Sequence, residues 1–172
     1  MSASAAGLSL LPVGVLAAVA SPLTGRLVAA RGPRLPLAIA GTALALGGIA
    51  SMWLGSTTPL PAVLASYLLF GIYLGTAIAP ITTTAVAGMP GSMAALASSV
   101  PSAARQVGTT LGVAVSGTIV APALALGGTP FTSAERTVWW LVLALGVGIL
   151  VLSIAAGSAR PKRGALSSPG DH

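Results

Sequence analysis

The sequence predicts an all-α integral membrane protein with five transmembrane helices. Three observations carry that expectation. First, 55% of the 172 residues are hydrophobic and only 6% are charged, with a mean hydropathy of +0.96. Water-soluble domains carry about 25% charged residues, so eight basic and two acidic side chains are too few to cover a wetted surface. Second, five apolar stretches approach the roughly 20 residues that cross about 30 Å of hydrocarbon at 1.5 Å per residue. Third, the basic residues crowd into alternate gaps between those stretches, as the positive-inside bias of loops requires. Barrel strands would be about ten residues long with alternating polarity, whereas these stretches are longer and uniformly apolar.

The first span is expected at about 7–28. Residues 1–11 carry no charged side chain, and Arg26, Arg31 and Arg34 come after the apolar run. A cleaved signal peptide needs its positive charge before the core. The reversed order predicts a retained helix with the N-terminus outside and the first loop in the cytoplasm. The second span is expected at 35–54 after Gly32-Pro33, with Trp53 at its outer end. The third, 62–86, follows an uncharged gap. A gap opened by Gly88 to Ser92, with a short interfacial turn up to Ser99, leads to the fourth span at 100–120. Pro122 and the run Gly127 to Pro130 mark the next gap. Trp139 and Trp140 then open the fifth span, 138–156, at an interface where indoles prefer to sit. One transmembrane unit is thus expected over 1–158. Residues 159–172, with Arg160, Lys162 and Arg163, read as a disordered basic tail on the cytoplasmic side. The protein is expected in the cell membrane, multi-pass, with the lipid bilayer as its first partner.

Composition narrows the chemistry. There is no cysteine, and the sole histidine is His172. Glu135 sits at an outer boundary and Asp171 in the tail, so no carboxylate is expected within a span. Metal hydrolysis, nucleophile–base pairs and intramembrane proton relays lack their residues. The chain reads as a non-enzyme with no cofactor and no metal. The net charge of +6 lacks the basic face interleaved with aromatics that nucleic acid requires.

Small residues recur every four positions. Gly71 and Gly75 form one stripe; Gly108, Gly112 and Ser116 form a longer one; Ala40, Leu44 and Gly48 form a weaker one. Such stripes let helices approach in lipid, and the same surfaces could slide in a moving protein. Pro12 and Pro80 lie within spans, where a kink serves either packing or a gating bend. Arg105 and Gln106 are the strong polar pair near a span. Arg105 lies close enough to the span end to snorkel to the cytoplasmic surface, and it could equally pair with another helix.

Three segments resemble one family. Residues 22–34, PLTGRLVAARGPR, are similar to the loop motif of the major facilitator superfamily in its C-terminal-half copy. Residues 71–80, GIYLGTAIAP, are similar to its glycine-rich helix ending in proline. Residues 97–117, ASSVPSAARQVGTTLGVAVSG, resemble the penultimate helix of the fourteen-helix drug:proton antiporter branch. The last match is the most specific, through its Arg-Gln-x-Gly-x-x-x-Gly order. Gly25, Leu27, Gly32 and Arg34 match the loop motif, but Ala29-Ala30 stands where Asp-Arg is common. Tyr73 replaces a frequent glycine, and Ser102 a frequent asparagine. The resemblance covers about 10–156.

The resemblance implies the last five helices of a C-terminal half, within a transporter whose substrate site lies between two six-helix halves. It implies a C-terminal fragment of a proton-coupled multidrug efflux antiporter, not transport-competent alone, acting on small lipophilic or cationic substrates. Gly25, Arg26, Leu27, Arg31, Gly32 and Arg34 would form its cytoplasmic loop. Gly71, Gly75, Pro80, Gly108, Gly112 and Ser116 would serve packing or gating. The alternative is a small non-transporting membrane protein that associates with itself or a partner through its glycine stripes.

Overall fold

The computed structural model describes residues 3–55, 58–86, 94–126 and 128–158. The described residues form five helices and no strand: α1 (Ala3–Arg31), α2 (Arg34–Met52), α3 (Leu60–Val86), α4 (Ala94–Leu126) and α5 (Gly128–Ser158). Each contains a stretch long and apolar enough to cross a membrane: Leu10–Arg31, Arg34–Met52, Leu60–Thr84, Ser99–Ala125 and Thr132–Ala155. The expected all-α membrane class is what the chain adopts.

Several boundaries differ from expectation. α1 continues to Arg31, so Gly25, Arg26, Leu27 and Arg31 are helical, and only Gly32 and Pro33 separate α1 from α2. Gly32 makes the turn at φ +81°, a conformation glycine adopts without steric cost. Its N–H donates to the Val28 carbonyl at 2.8 Å, which closes the last turn of α1. At the other end of the chain, Pro122 lies inside α4 and Pro130 in the first turn of α5. Most of the expected loop there gives way to helix, and Gly127 lies outside the described residues. An unpaired peptide group in hydrocarbon costs several kcal/mol, so helices continue past a proline where the neighbouring turns can still bond; in a first turn the missing N–H costs nothing. α4 also begins before Ser99, so 94–99 is helical. Residues 87–93, which carry part of the expected interfacial turn, lie outside the described residues, as does the tail 159–172.

α2 is the centre of the bundle. It packs along α5 on one side and α3 on the other, while α1 packs along the outer side of α3. α4 touches α3 and α5 more lightly. Half of the apolar stretch of α2 is buried within the chain, against 6% for α4. The closest backbone approach joins α2 and α5. A Cβ on Gly146 would stand 2.6 Å from the Ala45 nitrogen, and one on Gly41 would stand 2.8 Å from the Leu150 nitrogen. Glycine at these positions lets the two backbones meet and gain dispersion contact, which drives helix association where lipid removes the hydrophobic difference. A polar tie reinforces the pair: the buried Ser153 hydroxyl donates to the Arg34 carbonyl at 3.0 Å. Elsewhere the hydroxyls turn back onto their own helices, as Thr24 does to Ala20 at 2.8 Å and Thr76 to Ile72 at 2.6 Å. That keeps them satisfied without water.

Candidate functional site

A cleft opens between α3 and α4, with a volume of about 700 Å³. From α3 it is lined by Tyr73, Leu74, Ala77, Ile78, Ile81 and Thr82. These residues fall in two neighbouring rows at i, i+4, i+8 spacing, which places them on one face of the helix. From α4 it is lined by Pro101, Ser102, Ala104, Arg105, Gly108 and Thr109, again a single face. The lining is mostly apolar with a few polar groups, as in sites for small organic molecules.

Arg105 is the one charged residue in that lining. It is exposed, and among the described residues its guanidinium has no hydrogen-bond or ion-pair partner. It stands six residues beyond Ser99, where the apolar stretch of α4 begins, or about 9 Å along the helix. A cation at that depth can reach the membrane surface along its own stem, and in this position it also overlooks the cleft. Thr109 adds no free hydroxyl hydrogen, because it donates to the Arg105 carbonyl at 2.8 Å. Gly108 leaves the wall open: nothing stands within 4 Å of where its Cβ would be.

The residues singled out in the sequence distribute unevenly around this cleft. Arg105 and Gly108 line it. Gln106 is exposed and does not line it. Gly112 continues the Gly108 row one turn further and also faces open space. Ser116, half-buried, follows on the same row. Gly71 and Gly75 stand on another side of α3, where a Cβ would meet Leu16 at 3.1 Å and Ala20 at 2.5 Å of α1. Pro80 is fully buried, one turn before Thr84, whose hydroxyl donates to its carbonyl at 2.7 Å. Gly25, Arg26, Leu27, Arg31, Gly32 and Arg34 gather at the α1–α2 turn, remote in sequence from either wall of the cleft.

Sequence reasoning missed most of the α3 wall. Tyr73 drew notice only as a replacement for glycine, although Tyr73, Ala77 and Ile81 at four-residue spacing mark a face distinct from that of Gly71 and Gly75. Of the α2 contact it named Gly48, which does approach the α5 backbone, but neither Gly41 nor Ala45. Ala40 and Leu44 are buried, but Gly41, Ala45 and Gly48 are the residues that approach the α5 backbone. The sequence further placed carboxylates outside every span. The apolar stretch of α5 starts at Thr132, so Glu135 lies within its first turn.

No family model matches the chain, and no solved structure matches it. Curated relatives do. Multidrug resistance protein Stp of Mycobacterium tuberculosis is 35% identical over 118 residues, which is 69% of this chain and 22% of that protein. The tetracenomycin C resistance and export protein of Streptomyces glaucescens is 31% identical over 125 residues, 70% of this chain and 22% of that protein. A puromycin resistance protein of Streptomyces alboniger is 32% identical over 158 residues, 86% of this chain and 31% of that protein. The chain thus spans between 22% and 31% of the length of these curated relatives. Its homologues are drug-resistance and export proteins, and its five apolar helices make it a multi-pass membrane protein.

Proposed function

We propose that the five helices form part of a drug exporter of the major facilitator type, in its proton-coupled multidrug branch, and that the α3–α4 cleft is their share of the substrate path. The observation that carries this reading is the coincidence of two things on α4. The segment that resembles the drug:proton antiporters also supplies one wall of the 700 Å³ cleft, with Arg105 and Gly108 facing it. The similarity to resistance and export proteins supports it independently. Two helices wall the cleft, so a closed path needs further helices, which we place in the remaining part of a transporter. Small lipophilic molecules are the substrates that an apolar lining suits. Gly25, Arg26, Leu27, Arg31, Gly32 and Arg34 mark the cytoplasmic end of α1 and α2, with the N-terminus outside and the C-terminus in the cytoplasm. Gly71 and Gly75 hold α3 against α1, so any movement of α3 carries α1 with it, and Pro80 marks a bend in α3 that serves packing or gating. Residues 1–158 act as one partial transmembrane domain.

The test replaces the matching segment of the Mycobacterium relative with this chain and measures retention of a lipophilic fluorescent dye in drug-sensitive cells. The chimera lowers dye retention, Arg105→Ala restores it, and the chain alone does nothing. A chimera that inserts without exporting dye refutes the transport reading. Proton-driven efflux by the isolated, reconstituted chain refutes the need for further helices.

One observation favours a second reading, a non-transporting protein that associates with itself or a partner. Gly108 and Gly112 present open backbone, with no described residue within 4 Å of their Cβ positions. Crosslinking between cysteines placed at Gly112 of two copies, without dye export by any chimera, would select it.

A further inference from the structure

We propose that the cleft where the C-terminal end of α2 meets the first turns of α5 binds a phospholipid headgroup that carries both a phosphate and a primary ammonium. The proposal depends on the membrane placement of the helices and not on the transport reading.

The cleft has a volume of about 340 Å³, and its lining includes Ser51 and Leu54 from the end of α2 and Thr132, Glu135, Arg136 and Trp139 from α5. The four α5 residues follow i, i+3, i+4, i+7 spacing and so share one helix face. The apolar stretch of α2 ends at Met52 and that of α5 begins at Thr132. The cleft therefore lies where both helices leave the hydrocarbon, at the depth of headgroups.

Its donor set is incomplete within the chain. The Trp139 indole nitrogen is buried and has no hydrogen-bond acceptor among the described residues. A buried donor left unpaired is costly, so the site suits an acceptor brought from outside the chain. The indole is held in place: its ring lies 6.0 Å from that of Phe70, and Gly48 lets the Trp139 backbone approach α2 closely. Arg136, one turn earlier and exposed, adds a charged donor. An N–H and a guanidinium together match phosphate oxygens.

Glu135 on the same face changes the selectivity. Its carboxylate repels a free anion and welcomes a cation tethered to the phosphate. A primary ammonium offers it N–H donors, and a trimethylammonium offers none. The cleft therefore selects a phosphoethanolamine group over phosphocholine or phosphoglycerol. The bilayer is the source, because it presents such groups at this depth beside the apolar edge formed by Leu54.

The full chain, purified in detergent, is titrated with phosphatidylethanolamine, phosphatidylcholine, phosphatidylglycerol or soluble glycerophosphoethanolamine. Binding is read from the thermal unfolding midpoint and from lipid adducts in native mass spectrometry. Phosphatidylethanolamine binds about tenfold tighter than the other two lipids, the factor that one charge-assisted hydrogen bond supplies. The soluble headgroup binds more weakly than the lipid. Glu135→Gln removes the preference over phosphatidylglycerol. Arg136→Gln weakens all three lipids about tenfold. Trp139→Phe keeps the ring against Phe70, removes the N–H offered to the phosphate, and so weakens all three lipids while leaving the preference for phosphatidylethanolamine. Equal binding of the three lipids, an unchanged preference in Glu135→Gln, or a soluble headgroup that binds as tightly as the lipid overturns the proposal. Where a substituted chain does not fold, competition among the three lipids for adducts on the unaltered chain decides between preference and indifference.

Discussion

Gly146→Ala tests the packing that holds the bundle together. The added methyl carbon would stand 2.6 Å from the Ala45 nitrogen, 2.9 Å from its Cα and 3.0 Å from its Cβ. All three atoms belong to the backbone of α2 or are fixed to it, so no rotamer change relieves the clash. Ordinary carbon contacts lie at about 3.5–4.0 Å, so α2 and α5 must separate locally by roughly 1 Å. Overpacking of this kind costs about 1–3 kcal/mol. The better helix propensity of alanine returns about 1 kcal/mol, which leaves a net loss of about 0–2 kcal/mol at the α2–α5 seam, and about 1–3 kcal/mol relative to a glycine-to-alanine change without the clash. Gly148→Ala is the matched control. It lies two residues away on the same helix, and nothing stands within 4 Å of its Cβ position, so it is expected to be neutral or slightly stabilising. The assay is unfolding of the detergent-purified chain by added dodecyl sulfate, followed by far-ultraviolet circular dichroism. Equal midpoints for the two variants would refute the claim that backbone contact at Gly146 holds α5 to α2.

The α1–α2 turn carries two more tests. Gly32→Ala forces a residue with a Cβ into φ +81° and lowers stability by about 1–2 kcal/mol in the same unfolding assay, although space at the site is open. For orientation, the chain has no cysteine of its own. Single Pro33→Cys and Trp53→Cys variants therefore report the two ends of α2, separated by about 30 Å of helix rise. A membrane-impermeant maleimide applied to intact cells labels Trp53→Cys and spares Pro33→Cys; the reverse pattern refutes a cytoplasmic α1–α2 turn.

The membrane class was legible because it rests on summed hydropathy and on charges placed between spans. Helix ends were less legible, and for a specific reason. Proline and glycine punctuate water-soluble helices, but in hydrocarbon the backbone stays helical wherever it can, so Pro122 sits within α4 and Pro130 within the first turn of α5. Small-residue stripes announced that helices pack closely without naming partners. Gly71 and Gly75 do meet another helix, while Gly108 and Gly112 have no described residue within 4 Å of their Cβ positions. Both stripes share the same four-residue spacing, and only the position of a neighbouring helix distinguishes them. The cleft was legible on the α4 side, through Arg105, and not on the α3 side. An apolar wall such as Leu74, Ile78 and Ile81 carries the same pattern as a lipid-facing one.

The central position of α2 has a consequence for how the protein is made. With two residues between them, α1 and α2 must enter the membrane together as a hairpin. α3 follows soon and packs against both. The other flank of α2, with Gly41, Ala45 and Gly48, waits for the part of α5 around Gly146. That segment is synthesised roughly 100 residues later, which at ribosomal speed is an interval on the order of 5–20 s. Throughout it, a bare glycine face rests in the bilayer beside the translocation machinery, open to any small-residue helix that drifts past. Membrane chaperones that shield such faces would find their longest opportunity here.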